Sequence, residues 1–225
     1  MKLYYTPKSC SIASWIALEW VGADYEVEKA ETKSEEYRKI NPAGTVPALD
    51  IGDGKILTEN TAILKYIADT HREKNLGADE GLLEEFKYNK LSSFLNGFHS
   101  AFGPYYVPEI FTVATDETSI ENVLKAAYIS IDNAMKSLDN LLEGKDYLYN
   151  NKKSVLDAYA YVMVRWTDEF EKSWKEYPNV KRFVENLEKD EAVKTAYMGW
   201  NREFSKKPNG MEAGSFRYNA VMWVF

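Results

Sequence analysis

Cys10 is the only cysteine among 225 residues. It lies in Tyr4-Tyr5-Thr6-Pro7-Lys8-Ser9-Cys10-Ser11, after a strand-like run and directly before a helical one. Backbone N–H groups and the positive end of the dipole stabilise a thiolate at a helix N-terminus. Lys8 adds a positive charge two residues away, so the position suits a reactive sulfur. The competing reading is a small buried core residue, the common fate of a free cysteine.

Other stretches carry types that could hold a ligand. Thr45-Val46-Pro47 sets a proline at the start of a strand. A trans bond there marks a plain strand edge. A cis bond turns the N–H and C=O of the preceding residue outward, where an extended peptide ligand can pair like one more strand. Thr58-Glu59-Asn60-Thr61 opens a helix. These residues suffice as a cap, yet the same start can hold a carboxylate, with Asn60 as an extra donor and Glu59 facing an amine. His99, in Phe98-His99-Ser100, is either a helix histidine bonded between domains or a donor beside a ligand thiol. Tyr105, Tyr106 and Trp166 can line an apolar pocket, while most other aromatic residues read as core. Ser154 and Asp157 match a capping box and read as structural. Lys153 and Ala158 fill the positions of the hydrophobic staple that would accompany it.

The elements that must position these residues follow from pattern. Residues 2–6 read as a strand, 11–21 as a helix stopped by Gly22, 24–28 as a half-exposed strand and 34–40 as a short helix. Residues 46–51 and 55–58 are strands joined at Asp53-Gly54, and 59–69 is a helix. The order βαβαββα mixes parallel and antiparallel pairing. Beyond a polar stretch at 72–79, the pattern is helical over 82–108, 117–143, 154–173, 178–188 and 190–199, with no repeat period. The expected fold class is α+β in two domains. Residues 1–73 form the α/β domain and 82–210 the all-helical one, with an extension of unknown role at 211–225.

A net charge of −7 disfavours nucleic acid or an anionic membrane surface as partner. One cysteine rules out an intrachain disulfide. The N-terminus carries no apolar signal region, and no run approaches the about 20 apolar residues of a membrane span, so a cytoplasmic location is expected. Two histidines and one cysteine leave little for a soft-metal site, and no metal is expected.

Together these stretches resemble the cytosolic glutathione transferases, most of all the bacterial beta class. The matching residues are Tyr5-Thr6-Pro7…Cys10-Ser11, Asn41-Pro42-Ala43-Gly44-Thr45-Val46-Pro47-Ala48-Leu49, Leu57-Thr58-Glu59-Asn60, Phe98-His99-Ser100-Ala101-Phe102-Gly103-Pro104, and Ser154-Val155-Leu156-Asp157-Ala158-Tyr159 with Arg165-Trp166. The resemblance spans about residues 1–205. It implies a thioredoxin-like domain, glutathione as co-substrate, small hydrophobic electrophiles as partners, and a homodimer. It implies that Cys10 contacts the glutathione sulfur, that Val46, before a cis Pro47, pairs its backbone with the cysteinyl part, and that Thr45 and Pro47 join in binding glutathione. Glu59 and Asn60 would hold the γ-glutamyl end, and His99 would approach the thiol from the helical domain. Four departures stand out. Lys8-Ser9 replaces a small Gly-Ala pair, Asn60 stands where Ser or Gly is commoner, and Ala43 and Ser100 stand where lysines are usual.

The expected activity is glutathione transfer to electrophiles, a detoxifying reaction. Cys10 itself is expected to form a reversible mixed disulfide with glutathione, which an external thiol must resolve. Two alternatives stay open: a glutaredoxin-like thiol–disulfide reductase or peroxidase using Cys10, and a non-catalytic binder of glutathione and apolar ligands.

Overall fold

The computed structural model describes residues 1–114 and 116–202. The expected extension at 211–225, and the last residues of the expected helical domain, lie outside the described residues. The first half runs β1 (Lys2–Tyr5), α1 (Ser11–Val21), β2 (Glu26–Lys29), α2 (Glu35–Ile40), β3 (Ala48–Asp50), β4 (Ile56–Leu57) and α3 (Asn60–Thr70), the order anticipated from pattern. The sheet order is β2-β1-β3-β4. β1 and β2 are parallel, with Leu3 opposite Val27, and β1 and β3 are antiparallel, with Leu3 opposite Leu49.

Sheet pairing decides the strand edges. The N–H of Glu26 donates to the Met1 carbonyl at 2.9 Å, so β2 starts two residues later than alternation alone places it. β3 starts at Ala48, directly after the cis Val46-Pro47 bond. α1 is nearly all apolar, and every residue from Ser11 to Leu18 is buried. It is wedged between the sheet and the helical domain, packing on α3, α7 and α9. Gly22 ends it at φ 67°, with its N–H on the carbonyls of Glu19 and Leu18.

The second half contains α4 (Leu82–Ala101), α5 (Gly103–Tyr106), α6 (Glu117–Leu141), α7 (Val155–Arg165), α8 (Pro178–Leu187) and α9 (Glu191–Arg202). The helix expected over 82–108 divides at Phe102. Pro104 has no N–H to continue the ladder, and the chain restarts as α5 with that proline in its first turn. The helix expected over 154–173 stops at Arg165. The Thr167 hydroxyl donates to the Val164 carbonyl at 2.8 Å and accepts from the Trp174 N–H at 3.0 Å, closing a turn in place of another helical one.

α7 is the axis of the core, and Val155 to Val164 are all buried. Its start is held by Asp157, whose carboxylate accepts from the N–H of Ser154 at 2.7 Å, the Ser154 hydroxyl at 2.9 Å and the N–H of Leu148 at 2.9 Å. Lys153, in the staple position, lies over the Trp20 ring at 4.9 Å and pairs with Asp190 at 2.9 Å. A cation–π contact thus closes the joint that a hydrophobic pair would otherwise close.

Candidate active site

The loop after β1 delivers Cys10 to the start of α1. Lys8 sits in the left-handed region at φ 63°. The Ser9 hydroxyl donates to the Thr6 carbonyl at 2.9 Å and accepts from the Ser11 N–H at 3.2 Å, and it touches the Ser11 hydroxyl closely. Cys10 is buried, and its S–H donates to the Val46 carbonyl at 3.5 Å.

Burial pushes the Cys10 thiol up to about 12, and the nearby Glu59 charge pushes the same way. The backbone N–H groups of Cys10 and Ser11 pull it down by less. This overturns the expectation that the helix start and Lys8 lower the value. Desolvation outweighs the dipole, and Lys8 extends to within 3.9 Å of Glu169. At neutral pH Cys10 is a thiol.

The segment facing Cys10 is locked from behind. The Thr45 carbonyl accepts from the Tyr37 hydroxyl at 2.6 Å and from the Asn41 amide at 2.8 Å, and the same amide reaches the Thr45 hydroxyl at 3.2 Å. Gly44 has φ 67°, and a Cβ there would lie 2.9 Å from the Thr32 carbonyl oxygen, so the turn requires glycine. Thr45 therefore serves the turn with its polar groups. Val46 presents the strand edge, and its carbonyl meets the Cys10 sulfur.

Glu59 is exposed and strained, at φ 68° and ψ 109°, immediately before α3. Such strain collects at functional positions. Asn60 is 7% exposed, and its side-chain carbonyl accepts from the Ser14 hydroxyl at 2.9 Å. Its amide nitrogen is buried and faces the Tyr159 hydroxyl without completing a hydrogen bond to it. The side chain expected to reach a ligand thus points into the protein. The donors left at this end are backbone N–H groups in the first turn of α3.

His99 projects from α4 and packs edge-on against Tyr159 at 5.9 Å and tilted against Trp166 at 5.2 Å. Trp166 in turn donates its indole N–H to the Lys8 carbonyl at 2.7 Å. The loop before Cys10 and the histidine are therefore joined through one ring. Tyr105 and Tyr106 meet at 5.2 Å, and Tyr106 and Trp166 at 6.2 Å. Pattern reading misses Phe102, 5.0 Å from Trp166, and Phe170, 4.5 Å from Tyr105. Phe102 follows His99 by three positions, a spacing that shares a helix face and offers a usable signal. Phe170 carries none, because it lies beyond the end of α7. Among the described residues no group of three or more His, Cys, Asp or Glu could hold a metal ion, and no helix is long and apolar enough to cross a membrane.

The geometry combines a buried thiol on a strand-edge carbonyl, a strained acidic residue at a helix start, and an aromatic wall. Comparison with known proteins places the whole chain beside one family. Residues 9–70 match the glutathione S-transferase N-terminal domain, and residues 109–198 match the C-terminal domain. Glutathione S-transferase GST-4.5 of Xanthomonas campestris pv. campestris is 34% identical over 170 residues, covering 74% of this chain and 82% of its own. The structure of a sphingomonad glutathione S-transferase complexed with glutathione superimposes with a TM-score of 0.77 at 35% identity, over 89% of this chain and 99% of that one. A beta-class glutathione S-transferase of Sphingomonas chungbukensis does so with a TM-score of 0.77 at 31% identity, over 89% and 98%.

Proposed function

The chain belongs to the glutathione S-transferase family, and from that premise we propose that it presents the glutathione thiolate to electrophiles held against its aromatic wall. The observation that carries this reading is the Cys10 S–H on the Val46 carbonyl. It sets a sulfur donor beside the edge where a cysteinyl backbone would pair as an added strand.

In this reading glutathione, as co-substrate, lies along Val46 and Pro47. Its γ-glutamyl carboxylate takes the backbone N–H groups at the start of α3, and its ammonium meets Glu59. Cys10, held neutral by burial, turns its S–H from the Val46 carbonyl to the incoming sulfur. A hydrogen bond to the charged form stabilises that thiolate. The glutathione thiol gives up its proton to solvent, and its thiolate then attacks the electrophilic carbon; the C–S bond forms as the bond to the leaving group breaks, releasing chloride in the case of 1-chloro-2,4-dinitrobenzene. Tyr105, Tyr106 and Trp166 bind its apolar part, with the buried Phe102 and Phe170 packed behind them. His99 approaches from α4 as a donor near the reacting sulfur.

The thiol state of Cys10 favours this reading over the reductase one, because a disulfide exchanger needs its own thiolate as nucleophile. Initial rates with glutathione and 1-chloro-2,4-dinitrobenzene test the proposal. Saturable turnover above the uncatalysed rate supports it. Glutathione binding without turnover of that or any other electrophile would leave the non-catalytic binder.

We also propose a cytoplasmic, detoxifying homodimer. Leu82, Leu83 and Phe86 are 88%, 66% and 63% exposed at the start of α4. Three large apolar side chains within one turn of a helix suit a subunit contact. Size-exclusion chromatography with light scattering reads the mass directly, and a monomer at micromolar concentration would count against it.

A further inference from the structure

α3 begins without help from a capping side chain. Glu59, the residue before it, makes no side-chain hydrogen bond to the first turn and holds a strained backbone. Yet in the reading above this turn must present its N–H groups at a fixed place. Its position therefore comes from side chains packed around it.

Those side chains form a polar chain across the two domains. Ser14 of α1 donates to the Asn60 carbonyl at 2.9 Å. The Asn60 amide faces the hydroxyl of Tyr159, which is 1% exposed on α7. That hydroxyl donates to the Asn96 carbonyl on α4 at 3.4 Å, and the Asn96 amide returns to the Thr61 hydroxyl at 3.3 Å. Consecutive residues of the first turn, Asn60 and Thr61, are thus held from two sides with Tyr159 between them. Polar side chains packed between two domains restrict where the turn can sit.

We propose that Tyr159 is a positioning residue for glutathione. By setting Asn60 and Asn96, it holds the first turn of α3 where its N–H groups meet the γ-glutamyl carboxylate. This rests on the transferase reading. The hydroxyl acts on binding of one substrate and not on the chemical step, so its removal shifts KM and leaves kcat in place.

The test uses Tyr159→Phe, Asn60→Ser and the double variant, with calorimetric titration of glutathione and steady-state kinetics against 1-chloro-2,4-dinitrobenzene. Loss of one hydrogen-bonding group raises Kd and KM for glutathione about three- to tenfold in Tyr159→Phe. kcat and KM for the electrophile stay within about twofold. The double variant weakens binding by less than the product of the two single effects, because the two residues share part of one network. Unchanged glutathione affinity in Tyr159→Phe, a fall in kcat at constant KM, or independent multiplication of the two effects would overturn the inference alone. If Tyr159→Phe does not fold, Asn96→Ala removes the same link from the exposed side. It supports the proposal by weakening glutathione binding and overturns it by leaving binding unchanged. A wild-type protein that binds no glutathione overturns the transferase reading beneath the inference.

Discussion

The indole N–H of Trp166 donates to the carbonyl oxygen of Lys8 at 2.7 Å, joining the end of α7 to the loop that carries Cys10. The same indole packs on His99 at 5.2 Å. One side chain of the helical domain therefore sets both the approach to the thiol and the histidine opposite it.

Trp166→Phe keeps a ring on His99 and deletes the N–H. The Lys8 carbonyl then loses its partner, at a cost of about 1 kcal/mol in folding stability. Misplacement of Cys10 lowers kcat/KM for conjugation by about tenfold. Urea titration and initial rates check both values.

Lys8 holds φ 63°, which a side chain tolerates poorly. An L-residue there costs about 1–2 kcal/mol, and glycine removes that cost but adds about 0.5–1 kcal/mol of its own through greater unfolded-state entropy. Lys8→Gly is therefore stabilising by about 0.5–1 kcal/mol in urea. The exposed Lys8 pair with Glu169 at 3.9 Å subtracts little from that gain. The left-handed turn also gives the physical reason that glycine is usual in this loop among the transferases the sequence resembles.

Much of the backbone that frames the candidate site was legible because its signals are local. Pro47 before a strand, Gly44 in a turn, and Glu59-Asn60 at a helix start each depend on a few neighbouring residues. Cys10 was legible as a position and misread in its chemistry. Its neighbours in sequence favour a thiolate, but its pKa follows from burial by segments far along the chain. Tyr159 stood in the sequence only within the Ser154 to Tyr159 stretch that carries the resemblance. Periodicity marks it as buried and carries no information about which polar groups its hydroxyl meets. The end of α7 was missed for a related reason, since Thr167 stops the helix through Trp174, seven residues later.

Asp157 gives a pH test of the fold. Burial pushes its carboxyl up to about 7, against the pull of the Leu148 and Ser154 donors. A carboxyl raised above its unfolded value of about 3.9 gives stability that is complete below that value. That contribution is lost as pH rises through 7. The advantage of wild type over Asp157→Asn is therefore larger at pH 5 than at pH 8. At either pH the variant loses about 1–3 kcal/mol less than a variant to Ala, which leaves the three donors unpaired. Denaturant melts at the two pH values read the difference.

Cys10 in the unliganded protein alkylates slowly. With its thiol pushed up to about 12, the rate with iodoacetamide rises through pH 9 without levelling. A plateau near pH 7 would mean that the thiolate is already formed.

The central claim is that the attacking sulfur belongs to glutathione and that Cys10 assists it as a neutral donor. Conjugation of 1-chloro-2,4-dinitrobenzene by Cys10→Ala at saturating glutathione tests it most directly. Loss of one hydrogen bond to the thiolate lowers kcat by about tenfold and leaves turnover well above the uncatalysed rate. A Cys10→Ala protein that binds glutathione and conjugates no faster than solution would contradict it.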